Sequence, residues 1–413
     1  MGEWEKTRLG DVIETNTISY SIKEGWKFVN YLDTGNITEN VVAEIQRIDL
    51  NTEKLPSRAK RKVHYNSILY STVRPNQRHY GIVKEQPENF LVSTGFTVID
   101  ADEFKVDADF LYFLLSQENL VELLHSIAEQ SVSTYPSIKA SDIENIEVEL
   151  PPLVEQKRIA SILNALSDKI RQNTEINKNL AEQIKTICTA WLSDYAPFGG
   201  ILPNDWSEMS LSSIADFVNG YSYKGTELTE SNIAMATIKN FDRKGGFKLD
   251  GYKEIIPSNK LKDTQHAELF DTLVAHTDLT QNAEVIGNAE PVMSKSGYDD
   301  IVFSMDLVKV VPKSKHISKF LIAAILQDKK FKAHCLGYVN GTTVLHLSKK
   351  ALPEYQLYLP DDLSVLKPLD ELVTALYQRI SANIEEIIKL ETLRDTLLPK
   401  LMSGELDVSN IDL

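Results

Sequence analysis

The chain has 413 residues, of which 42% are hydrophobic and 25% charged, and a formal charge of −15. That length holds two to three domains with cores of their own, the composition is that of an ordinary globular protein, and the charge argues against a generally basic nucleic-acid binder. No stretch approaches the roughly 18 apolar residues that span a bilayer, and the N-terminus has no basic region followed by an apolar run. A soluble, cytoplasmic protein without a membrane partner is expected, and two cysteines, Cys188 and Cys335, suit that reducing compartment.

In chain order, a first globular unit from about residue 1 to 154 reads as α+β with many short strands. Runs rich in β-branched and aromatic residues predict strands at 27–31, 67–71, 95–99 and 146–150. Leu111, Leu114, Leu115, Val121 and Leu124 stand at helical spacing and predict a helix over 110–126. A long helical pattern starts at about Glu155. In it Leu163, Leu166, Ile170, Asn173, Asn177, Leu180, Ile184, Ile187 and Trp191 alternate spacings of three and four. That alternation is a coiled-coil seam. A loop of Gly, Pro and small residues over 196–203 reads as a boundary. The second unit, from about Leu202 to Leu363, predicts strands at 272–275 and 307–311 and a helix over 318–332. From about Ser364 a second long helix carries Leu366, Leu369, Val373, Leu376, Ile380, Asn383, Ile387, Leu390, Arg394, Leu397 and Leu401 at seam spacing.

The second half repeats the first. Trp4 stands five residues before Leu9, and Trp206 five before Leu211. Leu150-Pro151-Pro152 is matched by Leu359-Pro360-Asp361, each before a long helix. The offset is 202 residues at the start and 209 at the end. One long helix follows each unit, so pseudo-symmetry predicts that the two helices pack antiparallel. Asn173 and Asn383 occupy matching seam positions, where an Asn either is buried and fixes register at a cost in stability or marks a loosened, partly wet stretch of the seam.

The charge is unevenly spread. Between residues 54 and 84 stand eight basic residues, Lys54, Arg58, Lys60, Arg61, Lys62, Arg74, Arg78 and Lys84, and no acid, where the chain's average of 59 acids in 413 residues predicts about four. Tyr65, Tyr70 and Tyr80 are interleaved with them. Lysines and arginines meet phosphates, while Arg, Asn and Gln also make bidentate contacts to base edges. Lys60, Arg61, Lys62, Arg74, Asn76, Gln77, Arg78 and Tyr80 are therefore candidate DNA contacts. A second polar loop of the unit adds Ser133, Thr134 and Tyr135. The corresponding loops of the second unit offer His276, Thr277, Thr280, Gln281 and Asn282, and then Asn340 and Thr342. Lys239 and Arg243 stand nearby. The candidate seam is Leu166, Ile170, Asn173, Leu180 and Ile184 against Val373, Leu376, Ile380, Asn383 and Ile387.

No catalytic constellation is present. There is no Gly-x-Gly-x-x-Gly after a strand and no phosphate-binding Gly-x-x-x-x-Gly-Lys loop. The eight histidines lack ligand spacing, and His276 and His334 fall in predicted loops, so no metal site is expected. Pro360-Asp361-Asp362 with Lys367 resembles a nuclease cluster, but the acids stand at a helix start, where capping explains them.

On these residues the chain resembles the specificity subunits of type I restriction-modification systems. The resemblance rests on Trp4-x4-Leu9 and Trp206-x4-Leu211, on Tyr31-Leu32-Asp33-Thr34-Gly35-Asn36-Ile37, and on Leu150-Pro151-Pro152-Leu153-x-Glu155-Gln156-Lys157-x-Ile159. The C-terminal Leu393-Arg394-Asp395-x-Leu397-Leu398-Pro399-Lys400-Leu401-x-Ser403-Gly404-Glu405-Leu406 is its most specific piece. At Leu359-Pro360-Asp361-Asp362 the Glu-Gln pair of the first junction is missing. The resemblance implies an α+β fold with two pseudo-repeated target-recognition domains, residues 1–154 and 206–363, joined by long antiparallel coiled-coil helices at 155–195 and 364–406, with a linker at 196–205. It implies a non-catalytic subunit that reads a bipartite site in double-stranded DNA, sets its spacer and docks two methyltransferase subunits, which restriction subunits join. S-adenosylmethionine, ATP and magnesium then belong to the partners, and this chain holds no cofactor. The rivals are a stand-alone DNA-modifying or DNA-cleaving enzyme and a coiled-coil assembly scaffold.

Overall fold

The computed structural model describes residues 4–131, 135–280, 282–409 and 411. They form two compact units, one of Met1–Asp168 with Leu390–Leu413 and one of Lys169–Lys389.

In the first unit Glu5–Arg8 pairs antiparallel with Glu147–Leu150. One antiparallel sheet has the order Ile13–Thr15, Phe96–Ala101, Ile68–Ser71, Tyr80–Ile82. A second has the order Gln46–Asp49, Phe28–Leu32, Phe90–Ser93, Ala59–Arg61, with a parallel central pair. The β-branched runs locate these strands because their side chains fill both covered faces: Ile68, Leu69, Tyr70 and Ser71 are all buried. The helix expected over 110–126 is instead two, Ala108–Ser116 and Glu118–Glu129, broken at Gln117, whose ψ of 141° is extended. Both pieces bury apolar residues in one core, so the apolar period runs across the break.

The second unit repeats this strand order. Trp206–Ser210 pairs with Gln356–Pro360. One sheet runs Ala215–Asn219, Leu307–Pro312, Thr272–Ala275, Ala289–Pro291, and another Lys253–Glu254, Ile233–Ala236, Asp300–Phe303, again with a parallel pair. Leu9 and Leu211 each open a short helical turn and are fully buried, which explains the repeated Trp-x4-Leu. The helix expected over 318–332 is also two, Lys319–Leu326 and Lys329–Leu336. His334 therefore sits in a helix rather than a loop, with Nε2 2.8 Å from the Ala351 carbonyl.

The long helices span Leu153–Leu192 and Lys367–Met402. In the first unit Ile159, Ala160 and Leu163 share a core with Leu401 and Met402. Leu166 is half-buried. In the second unit Ile184 shares a core with Leu366, Leu369, Val373, Tyr377 and Ile380, and Leu180 and Leu376 pack against it. Ile170 and Ile387 are half-buried. Asn173 donates to Glu386 Oε2 at 3.0 Å and Asn383 to Asn177 Oδ1 at 2.8 Å, so the helices run antiparallel there. Both Asn173 and Asn383 are fully buried, and among the described residues the Oδ1 of each lacks a partner. Each is thus satisfied only in part, at a cost set by desolvation. Among the described residues no helix is long and apolar enough to cross a membrane.

The junction motifs have a mechanical reason. Gln156, the fourth residue of the first long helix, is buried and accepts from the Asp107 N–H at 2.9 Å. Asp107 is the N-cap of Ala108–Ser116. The fourth residue of the second long helix is Asp370, which accepts from the Ser318 N–H at 3.1 Å and from its hydroxyl. Ser318 is the N-cap of Lys319–Leu326. A carboxylate therefore makes at the second junction the fastening that an amide makes at the first. Asp362 caps the turn before that helix, accepting from the Ser364 N–H at 2.9 Å. Gly404 ends the second long helix at φ +71°, where a Cβ would stand 3.2 Å from the Trp4 ring.

Candidate nucleic-acid interface

The strand order divides the basic window of the first unit between two sheets. Lys60 and Arg61 lie on the edge strand Ala59–Arg61. Lys60 is exposed. Lys62 pairs with Glu24 and lies 5.0 Å from the Trp26 ring centre. Arg61 is half-buried; burial lowers its pKa, and its Nε has no partner among the described residues.

The second group connects Ile68–Ser71 to Tyr80–Ile82. Its tip is a one-turn helix, Pro75–Gln77, bracketed by Arg74 at φ 48° and Arg78 at φ 54°. Non-glycine residues held there cost of order 1–3 kcal/mol each, and such strain gathers at functional sites. Arg74, Asn76 and Gln77 are exposed. The other polar loop runs alongside: the Arg74 N–H donates to the Pro136 carbonyl at 3.0 Å and the Ile138 N–H to Thr72 at 2.9 Å. Arg74 stands 5.8 Å from the ring centre of Tyr135, which is 60% exposed. Ser133 and Thr134 lie outside the described residues.

Two expectations for this loop are corrected. Tyr80 is 4% exposed and stacked on Tyr70 at 5.6 Å, and burial pushes its hydroxyl up to about 12. It supports the loop from beneath and offers no face to a base. Arg78 is half-buried between Glu39, at 2.9 Å, and Glu118, so its charge is met within the protein.

The second unit brings its two polar loops together more tightly. Thr277–Asp278, Leu345–Leu347 and Val339–Asn340 form a three-stranded sheet in that order, with Thr277 and Asn340 both opposite His346. Asn340, Thr342 and Asn282 are exposed. Thr277 is not: it is 6% exposed, with its hydroxyl 3.0 Å from Asp306. His276 is half-buried, and burial, then His346, lowers its pKa. Asp278 organises the following loop, accepting from the Thr280 N–H and hydroxyl and, at 2.8 Å, from the Val285 N–H. Gln281 lies outside the described residues. Beside this loop a cleft of about 440 Å³ is lined by Lys239, Arg243, Lys248, Asp278, Leu279 and Thr280, among others. Lys239 is exposed, and Arg243 pairs with Glu284 at 3.0 Å.

Sequence reasoning missed Asp278, Glu39 and Glu118. Asp278 had a local signal, an Asp two residues before the Thr280 N–H that it caps. The two glutamates reach Arg78 from 39 and 40 residues away, beyond any local pattern.

A family model described as the type I restriction modification DNA specificity domain matches residues 1–185. The HindI specificity subunit of Haemophilus influenzae is 22% identical, the match covering 98% of this chain and 100% of that protein. The MjaIX specificity subunit of Methanocaldococcus jannaschii is 23% identical over 99% and 95% of the two. A crystal structure of a type I restriction-modification S subunit from M. genitalium shares the fold, with a TM-score of 0.58 at 16% identity over 97% and 96% of the chains. The first 185 residues thus match the type I DNA specificity domain, and from end to end the chain is similar to type I restriction enzyme specificity subunits.

Proposed function

We propose that each globular unit reads one half of an interrupted double-stranded DNA site, while the long helices set the spacer and dock two methyltransferase subunits. Restriction subunits join that core. S-adenosylmethionine, ATP and magnesium are handled by the partners, and the chain contributes recognition, not catalysis. The observation that carries this reading is the doubled loop pair. In each unit the strand order sets two polar loops side by side, 72–77 beside 135–138 and 277–280 beside 339–346. The loops differ in charge and length between the units, as two readers of different sequences require. Phosphate contacts hold register, and exposed Arg74, Asn76, Gln77, Asn282 and Asn340 have the chemistry for base edges. The test is Arg74→Ala in the assembled methyltransferase. One half-site should relax by about 1–3 kcal/mol while the other stays strict. Equal loss at both halves would refute the assignment of this loop to one half-site.

A further inference from the structure

Three elements of the first unit meet at Arg78. Its guanidinium pairs at one end with Glu39, 2.9 Å away, and at the other with Glu118. Glu39 is the tip of the hairpin formed by Ile37–Thr38 and Val41–Val42, and Glu118 opens the helix Glu118–Glu129. Arg78 itself closes the 74–77 loop. The backbone repeats the fastening: the Glu39 N–H donates to the Arg78 carbonyl at 2.9 Å, and the Asn40 N–H to Tyr80 at 2.8 Å. His79 Nδ1 stands 2.6 Å from the Ile37 carbonyl. Gly81 permits this closeness, since a Cβ there would stand 2.5 Å from Ile37 Cδ1 and 2.7 Å from Asn40 Oδ1. The charge also argues against a phosphate contact. One guanidinium against two carboxylates leaves a net charge of −1 at this point of the surface.

We propose that Arg78 is a positioning residue, tying the 74–77 loop to the hairpin and the helix and so fixing which bases the first unit accepts. The proposal rests on the reading of that loop as a DNA contact. Arg74, exposed and without a carboxylate partner among the described contacts, is then the cation of this loop that touches DNA, and Arg78 acts through it.

The experiment uses the full chain assembled with its methyltransferase partner and three variants, Arg74→Ala, Arg78→Ala and Glu39→Gln. Each is titrated with the cognate duplex, and with duplexes altered in one half-site, over a range of salt. Arg78→Ala and Glu39→Gln should each cut discrimination at the first half-site about tenfold, leaving the second half-site and the salt slope unchanged. A phosphate contact makes the opposite signature. Arg78→Ala would then lower the slope by about 0.9, and Glu39→Gln, by freeing the guanidinium, would tighten every duplex; that result overturns the proposal. So does unchanged discrimination in both variants. Should Arg78→Ala fail to fold, Glu39→Gln, at a half-exposed side chain, decides alone. Arg74→Ala separates the two levels: if it alters neither discrimination nor slope, the loop's contact with DNA fails, and with it the role of Arg78.

Discussion

Glu290→Gln isolates a buried carboxyl whose surroundings pull in opposite directions. Glu290 is 6% exposed on Ala289–Pro291, and burial raises its pKa to about 7. Its hydrogen bonds are those of an acceptor: the Gly246 N–H donates to Oε1 at 2.7 Å and Gln327 Nε2 to Oε2 at 2.8 Å. Tyr377 in turn donates to Gln327 Oε1 at 2.8 Å. Lys185 favours the charged form and Asp242 disfavours it. Below the ordinary value of 4.5 both folded and unfolded chains hold the proton. Between 4.5 and about 7 the unfolded chain loses it first, so stability falls as pH rises, and above about 7 the whole cost is present. That cost is about 3 kcal/mol. The new amide can accept from Gly246 and donate to Gln327 if the Gln327 amide turns over and donates to the Tyr377 hydroxyl. Glu290→Gln should therefore leave stability nearly unchanged at pH 4.5 and raise it by up to about 3 kcal/mol at pH 8. For a unit of this size that is a rise in melting temperature of about 6–12 °C. Calorimetry of wild type and variant at both pH values reads it. An equal shift at both, or a loss at pH 8, would show that Lys185 and the two donors hold the group ionised and would refute the reasoning.

Asp370→Ala leaves the Ser318 N–H and hydroxyl without their acceptor on the second long helix. It should cost about 1–3 kcal/mol in chemical denaturation, and Asp370→Asn less; equal costs would show that only packing is lost. Lys60→Ala should lower the salt slope of DNA binding by about 0.9 and Lys62→Ala by less, because Glu24 already holds Lys62. The reverse order would place DNA on the Trp26 side. Leu376→Asp with Ile380→Asp puts unpaired charge into the apolar core that both helices share, at several kcal/mol. Co-purification with the methyltransferase should then drop below stoichiometric amounts, whereas an intact complex would move the docking surface off the helix pair.

Local patterns made six of the strands and both long helices legible. Ile68–Ser71 and Thr272–Ala275 are buried throughout, so composition alone located them. The seam spacing located Leu153–Leu192 and Lys367–Met402 because each helix buries one stripe along much of its length. The breaks at Gln117 and after Leu326 were hidden: a kink of one or two residues leaves the apolar period intact and involves neither Gly nor Pro. Errors at the site came from distance along the chain. The cluster at 54–84 is contiguous in sequence, but strand pairing sends Ala59–Arg61 and Tyr80–Ile82 to different sheets. Tyr80 is surrounded by cations in sequence and by Tyr70 and Tyr112 in space. Asp370 was invisible as the counterpart of Gln156, since the two share a position and a task but not a side chain.

On this reading the two units recognise DNA independently. The most direct test is methylation sequencing of cells expressing the chain with its methyltransferase, comparing wild type, Arg74→Ala, and Thr280→Ala combined with Asn282→Ala. The expected result is an interrupted motif, relaxed in one half by the first variant and in the other half by the second, with an unchanged spacer. A contiguous motif, or relaxation of the same half by both variants, would contradict it.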